Sequence, residues 1–363
     1  MEQPQTDPIP DPQENGQMPS LQRDEAFEDL DKYDEELIKQ WSQSTCYTLS
    51  DRPDLITTWQ VTVPGLALTH AFLRHGLLAH AALHIRDGCP QFLKPLYFNL
   101  AARHQQKALG LYIPELKAIT PDNCHALFAF SAVLPGIQYA SLPAYETETG
   151  SPAGLISRIV SVFEYLIGAT VVATQGAVWI RQGAMEPLMT IRKIEDITSA
   201  LLPEPRDALN KLKTYIGIHY MESSTPDDAF RDNKTRQAED TRRTYLRSIE
   251  MLSNAFPTHD SQRRYLDALI GWPTFVGADF IRSLKACDPL ALVVLAHYGV
   301  ALNGFRDVWW LGDLGARLIK SVAQTLSPEL LPLIEWPLAM PSADDGTMSL
   351  DSRAQPSSQA DLT

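Results

Sequence analysis

The chain has four cysteines, Cys46, Cys89, Cys124 and Cys287, and no two of them form a close pair. That scatter excludes a disulfide framework and a cysteine-rich zinc site, and it suits a reducing compartment. There is no excess of positive charge either. The formal net charge is −13, and residues 1–36 hold twelve acidic side chains against only Arg23 and Lys32. Binding to a phosphate backbone needs a clear basic surface, so direct DNA binding by this chain alone is not expected. The opening MEQPQTDPIPDPQENG has neither a basic nor an apolar stretch, unlike a secretory or mitochondrial leader. The longest apolar run, Tyr165 to Ile180, falls short of the ~20 residues of a membrane span and reads as a buried core helix, so no membrane span is expected.

Catalytic signatures are missing as well. No Gly-x-Ser-x-Gly turn, Gly-x-Gly-x-x-Gly loop or Walker pattern occurs. His80 and His84 share a helix face at metal-ligand spacing, but His70 lies about 15 Å away along the axis and cannot join them. Position 81 is Ala, which rules out a His-Glu-x-x-His site. Carboxylate pairs such as Asp227-Asp228 and Glu239-Asp240 alternate with Arg and Lys and read as solvated helix faces. The expectation is no catalytic residue, no metal ligand, no cofactor and no enzyme.

What is present is helical. Regular apolar/polar alternation does not recur, while Pro-marked turns separate long apolar segments. Leu30, Tyr33, Leu37, Ile38 and Trp41 fall at helical spacing and predict an amphipathic helix over about 24–42. Trp59 to His84 reads as one long apolar helix with Pro64 near its start. Thr120-Pro121, Asp288-Pro289 and Ser327-Pro328 read as caps followed by a proline, and Pro135-Gly136 as a helix end. Pro203-Glu204-Pro205 breaks the chain before a more charged middle. Within it, residues 227–247 carry six basic and five acidic groups, as on an exposed, ion-paired helix. The fold class is all-α, a single large multi-helix regulatory domain over 24–340. A disordered acidic segment over 1–23 and a disordered Ser/Asp/Gln-rich tail over 341–363 flank it.

Trp272, Phe275 and Phe280 precede the very apolar segment Leu290 to Leu302, and Trp309, Trp310 and Trp336 follow it. Such rings pack as an ordinary core or line an apolar pocket between helices.

Several segments occur in an order typical of one family: TCYTLSDRPDLITTWQVTVPGLALTHAFLRHGLLAHAALH, WPTFVGADFIRSLKACDPLALVVLAHYGVALN, WWLGDLGARLI and the late EWP. From about Leu30 to Pro337 the chain resembles the C-terminal regulatory domain of fungal zinc-binuclear-cluster transcription factors, in the branch that includes sterol uptake control proteins. The six cysteines of the zinc cluster are not in this sequence. The resemblance implies an α-helical effector domain in a nuclear regulator of RNA polymerase II genes, shuttling with the cytoplasm, in a metabolic or secondary-metabolite pathway. DNA contact would then come from a DNA-binding partner or an upstream exon, and a homodimer is a further expectation. The resemblance also implies an apolar small-molecule effector, with Trp272, Phe275, Phe280, Trp309 and Trp310 at the edge of its pocket. Where the family shows a Gly-Trp-Gly-like element, this chain has Asp313, Leu314 and Gly315. The alternative is a stand-alone sterol- or lipid-type binding module with no direct transcription role.

Overall fold

The computed structural model describes residues 32–50, 52–149, 151–189, 201–222, 231–257 and 266–340. The acidic segment 1–23, the first part of the predicted helix over 24–42, and the tail 341–363 lie outside the described residues. The described residues are helical, with no strand among them: α1 Asp34–Gln43, α2 Val63–Ala67, α3 Ala71–Gly88, α4 Lys94–Glu115, α5 Cys124–Thr149, α6 Pro152–Gln175, α7 Ala177–Ile180, α8 Glu186–Met189, α9 Pro203–Glu222, α10 Arg231–Ser253, α11 Leu266–Lys285, α12 Pro289–Asn303, α13 Leu314–Thr325 and α14 Glu335–Leu338.

Two layers meet along α6. In the first, α3 packs along α4, crosses α5 and carries α1 on its outer side; in the second, α10 packs between α9 and α11. Helix α6 leans on α5 from one side and on α11 and α13 from the other. Helix α12 runs through the interior, and every residue from Leu290 to Leu302 is buried. A helix apolar on all sides is stable only where neighbours cover it all round, which is the position α12 occupies. Its start is local chemistry. The Asp288 carboxylate accepts hydrogen bonds from the amides of Leu290 (3.0 Å) and Ala291 (3.2 Å), and Pro289 opens the first turn. Just upstream, Asp288 N–H donates to the Ser283 carbonyl, and Cys287 at φ 53 occupies the left-handed position that ends α11.

Three sequence expectations need correction. The segment from Trp59 to His84 is two helical pieces, not one: a wide π-type turn over Thr58–Thr62 leads into α2, and His70, extended at φ −123, starts α3 anew. The imidazole of His70 lies 3.0 Å from the Leu66 carbonyl, which also accepts the Thr69 and His70 backbone N–H groups where the helix ends. Pro135-Gly136 does not end a helix, because α5 continues to Thr149. The first turn after Thr120-Pro121 is irregular, and α5 begins only at Cys124. The charged middle is the expected exposed helix, α10, with Arg242–Glu239 and Arg243–Asp240 ion pairs one turn apart.

Helix α11 contains a break that positions two candidate residues. Gly277 has φ 86 and ψ 164, in a region that only glycine occupies without strain, so the helix bends between Trp272 and Phe280. Both rings thereby turn inward and are buried, while Gly277 itself is exposed.

Candidate functional site

The five candidate aromatics separate into two groups. Trp272 is 1% exposed. Its indole N–H donates to the Ser248 carbonyl of α10 at 2.9 Å, and its ring stacks on Tyr298 of α12 at 4.7 Å. Phe280 and Phe163 meet it edge-on at 5.6 and 5.9 Å. Phe275 stands apart, half-buried, its ring beside Gly271.

The second group sits where both ends of the first signature segment meet the tryptophan pair. The Trp309 indole N–H donates to the Thr48 hydroxyl at 3.0 Å, and that of Trp310 to the Thr48 carbonyl at 3.2 Å. The Thr48 hydroxyl in turn donates to the Thr45 carbonyl at 2.8 Å. His84 closes the ring: Nδ1 is 2.9 Å from the Thr45 hydroxyl, and the imidazole stacks on Trp309 at 4.4 Å with planes 3° apart. One turn away, His80 lies between Trp309 (5.2 Å) and Trp41 (6.2 Å). A short turn, a histidine-bearing helix and a tryptophan pair thus form one clamp.

His80 is fully buried, and neither ring nitrogen has a hydrogen-bond partner. Desolvation, with His84 adding repulsion, lowers its pKa to about 3, so the ring is neutral. Gly136 makes room for it, since a Cβ there would stand 3.0 Å from Cε1 and Nε2 of His80. The glycine that reads as a helix end is a packing residue. Gly315 has the same kind of role, because a Cβ would approach the Asn303 amide and the Gly299 carbonyl of α12 to 2.4 Å.

Tyr139 and Tyr298 link the two groups, and the sequence patterns single out neither. Trp310 stacks on Tyr139 at 6.1 Å, the Tyr139 and Tyr298 hydroxyls are 3.4 Å apart, and Tyr298 stacks on Trp272. Burial pushes both phenol pKa values up, so both hydroxyls stay neutral. Four of the five candidates therefore belong to a continuous aromatic spine between the layers. Both tyrosines occupy inward positions of apolar helices, which is the only signal the sequence offers for them.

An open recess lies elsewhere. A groove of about 650 Å³ opens between the start of α9 (Pro203, Pro205), the turn after α10 (Phe256, Pro257), the end of α12 (Val300, Ala301) and Trp336 of α14. Glu204, Arg306 and Asp307 stand at its edges, and none of the five candidates lines it. Its floor is aromatic: Trp336 packs on Phe256 at 5.5 Å and on His297 at 5.8 Å. Desolvation lowers the His297 pKa to about 4, so this wall is uncharged at neutral pH.

A third polar cluster ties α1 to the fold. Asp34, 1% exposed, has a carboxylate oxygen 3.3 Å from Nε2 of His104, whose Nδ1 is 3.0 Å from Nδ1 of His75. Among the described residues no group of three His, Cys, Asp or Glu side chains is arranged to hold a metal. The buried thiols Cys46 and Cys124 are shifted upward by desolvation, away from the thiolate that a nucleophile or ligand needs.

Fold and site together define the class: an all-α, multi-helix domain with an aromatic interior and an open groove. Within that class one specific likeness stands out. Over 327 residues, 87% of this chain, the sequence is 23% identical to a Zn(2)-C6 fungal-type transcription factor of Gibberella zeae. The match spans 63% of that protein's length. No protein-family model matches the chain.

Proposed function

We propose that the chain is a transcriptional regulator of RNA polymerase II genes in a fungus, acting as an α-helical effector domain. The carrying observation is the likeness to the Gibberella zeae transcription factor, which extends over 87% of the chain and so covers nearly the whole helical body. The chain's acidic balance, −13 overall, is the wrong sign for gripping DNA by itself. The DNA contact therefore belongs to a partner or to sequence outside this chain. The metabolic or secondary-metabolite pathway and nuclear residence with shuttling are parts of this proposal.

The groove is where an apolar small-molecule effector would seat. Its walls are Pro, Phe, Val, Ala and Trp side chains contributed by four separate elements, so an occupant would bias how those elements sit against one another. The pocket-edge role of Trp272, Phe275, Phe280, Trp309 and Trp310 is a separate proposal. Under it, ligand contact would fall to the half-buried Phe275 and Trp309, the rings with an outer surface. The upward shift of the Cys46 and Cys124 thiols by burial argues against either as a nucleophile.

Chromatin immunoprecipitation of the tagged endogenous chain tests the regulator reading. Enrichment at a limited set of promoters, dependent on a co-purifying zinc-cluster protein, is the expected result. No enrichment, with the chain cytoplasmic in every growth condition, would overturn it and leave the stand-alone binding module.

A further inference from the structure

Residues 34–48 tie α4 at one end to the tryptophan pair at the other, and no glycine or proline interrupts them. Helix α1 passes directly into the turn Thr45–Thr48, with the Ser44 N–H donating to the Gln40 carbonyl at the joint. One stripe of the segment is buried. Asp34, Leu37, Trp41 and Thr45 point inward at helical spacing, while Glu35, Ile38, Lys39 and Tyr47 are exposed.

The attachments are polar at both ends and apolar in the middle. At the front, Asp34 meets His104, and Glu36 accepts a hydrogen bond from the Tyr97 hydroxyl at 3.0 Å, both partners being on α4. In the middle, Leu37 and Trp41 are buried, and the Trp41 indole N–H donates to the Trp59 carbonyl at 3.2 Å. At the back, Thr45 meets His84, and Thr48 accepts both tryptophan N–H groups.

The front end opposes its own docking. Asp34, His104 and His75 are each at most 2% exposed. Neither Asp34 oxygen has a hydrogen-bond partner among the described residues, and the carboxylate is compensated by the 3.3 Å contact to His104. A buried carboxylate facing one imidazole gains little against its own desolvation. Docking of α1 is thus a balance between burying Leu37 and Trp41 and dehydrating a charge. A ten-residue helix with no side-chain cap at its start is also too short to be stable alone, so α1 keeps its shape only while docked.

We propose that residues 34–48 form a strap that docks and releases as one unit, coupling the Asp34–His104 contact to Trp309 and Trp310. Release uncovers the His80 ring, which packs beside Trp41, and withdraws the Thr48 hydroxyl and carbonyl that hold the two indoles. A partner that binds the released helix would thereby loosen the tryptophan pair, and loosening the pair would free the helix by the same factor, because linkage is reciprocal. This coupling holds whether or not the chain regulates transcription.

The test is hydrogen–deuterium exchange on the full chain, read on peptides covering 34–41, 42–49 and α12. In the wild type both strap peptides should exchange through one common opening, faster than α12. His104→Leu leaves the Asp34 carboxylate unpaired and should speed exchange in both strap peptides by about tenfold or more. Trp309→Phe combined with Trp310→Phe removes both N–H donors at the other end and should speed both by about fivefold or more. All three changes lie outside the strap, so its intrinsic exchange rates are unaltered, and circular dichroism checks that each variant is folded. Should His104→Leu fail to fold, the tryptophan variant carries the same test from the opposite end. Acceleration confined to the peptide nearest the altered end would mean independent fraying and would overturn the strap. So would wild-type strap peptides that exchange at the rate of α12, since the segment would then open only when the whole domain unfolds.

Discussion

Gly277 and Gly168 make opposite predictions from the same substitution. In both cases an added Cβ meets nothing within 4 Å, so sterics with neighbours drop out and only backbone terms remain. At Gly277, with φ 86 and ψ 164, alanine is forced into a region costing about 1–3 kcal/mol. Against this stands a gain of about 0.4–1 kcal/mol from a less flexible unfolded chain. The net expectation for Gly277→Ala is a loss of about 1–2 kcal/mol, or roughly 1–3 °C in a chain of this length. At Gly168 the backbone is helical, and alanine should gain about 0.8–1 kcal/mol. Urea unfolding should show midpoints moving in opposite directions at constant slope. Equal stability of Gly277→Ala and the wild type would refute the bend as a glycine-determined feature. A loss at both sites would show that neither open space nor local backbone decides these positions.

Trp272→Ala removes a buried, hydrogen-bonded indole and should cost about 3–5 kcal/mol in chemical denaturation; a loss below about 1 kcal/mol would mean that the ring is not part of the core. A double-mutant cycle with Thr48→Val and Trp309→Phe should return a coupling of about 1 kcal/mol, because each change removes one side of the same hydrogen bond. Additive losses would sink the clamp. His80 and His297 give a pH dependence. Their folded pKa values, about 3 and about 4, lie below the unfolded value near 6.5, so between these limits the unfolded chain binds more protons. Stability should be full above about pH 6.5 and fall by about 1.4 kcal/mol per pH unit for each histidine as the pH drops. His80→Leu should flatten that slope by about one proton, as read from urea midpoints between pH 7 and pH 5. An unchanged slope would mean that the ring is hydrated.

What is legible in the sequence follows how local each cause is. The Asp288-Pro289 start of α12 is fixed by one carboxylate and the next two amides, so it reads directly from the chain. The ion-paired face of α10 is equally local. Pro135-Gly136 misleads because the glycine serves a neighbour: it makes room for the His80 ring, which belongs to α3. The break at His70 is hidden because an Ala- and Leu-rich run masks the point where the carbonyl of Leu66 takes up an imidazole. Trp272, Phe280, Trp309 and Trp310 are visible as rings. Their connection through Tyr139 and Tyr298 depends on two helices about 160 residues apart in sequence, a separation that no local pattern encodes. The groove is out of reach for the same reason, being assembled from four distant pieces whose separate compositions are ordinary.

The clamp at Thr48 also bears on how the protein is made. The partners of Thr48, Trp309 and Trp310, are synthesised 261 and 262 residues after it. At about 5–20 residues per second, the turn must wait on the order of 13–50 s for them. Throughout that interval the Thr48 turn and the His80–His84 face of α3 lack the tryptophan pair that meets them in the fold. Any product ending before Trp309 lacks these two hydrogen bonds and leaves His84 without its stacking partner.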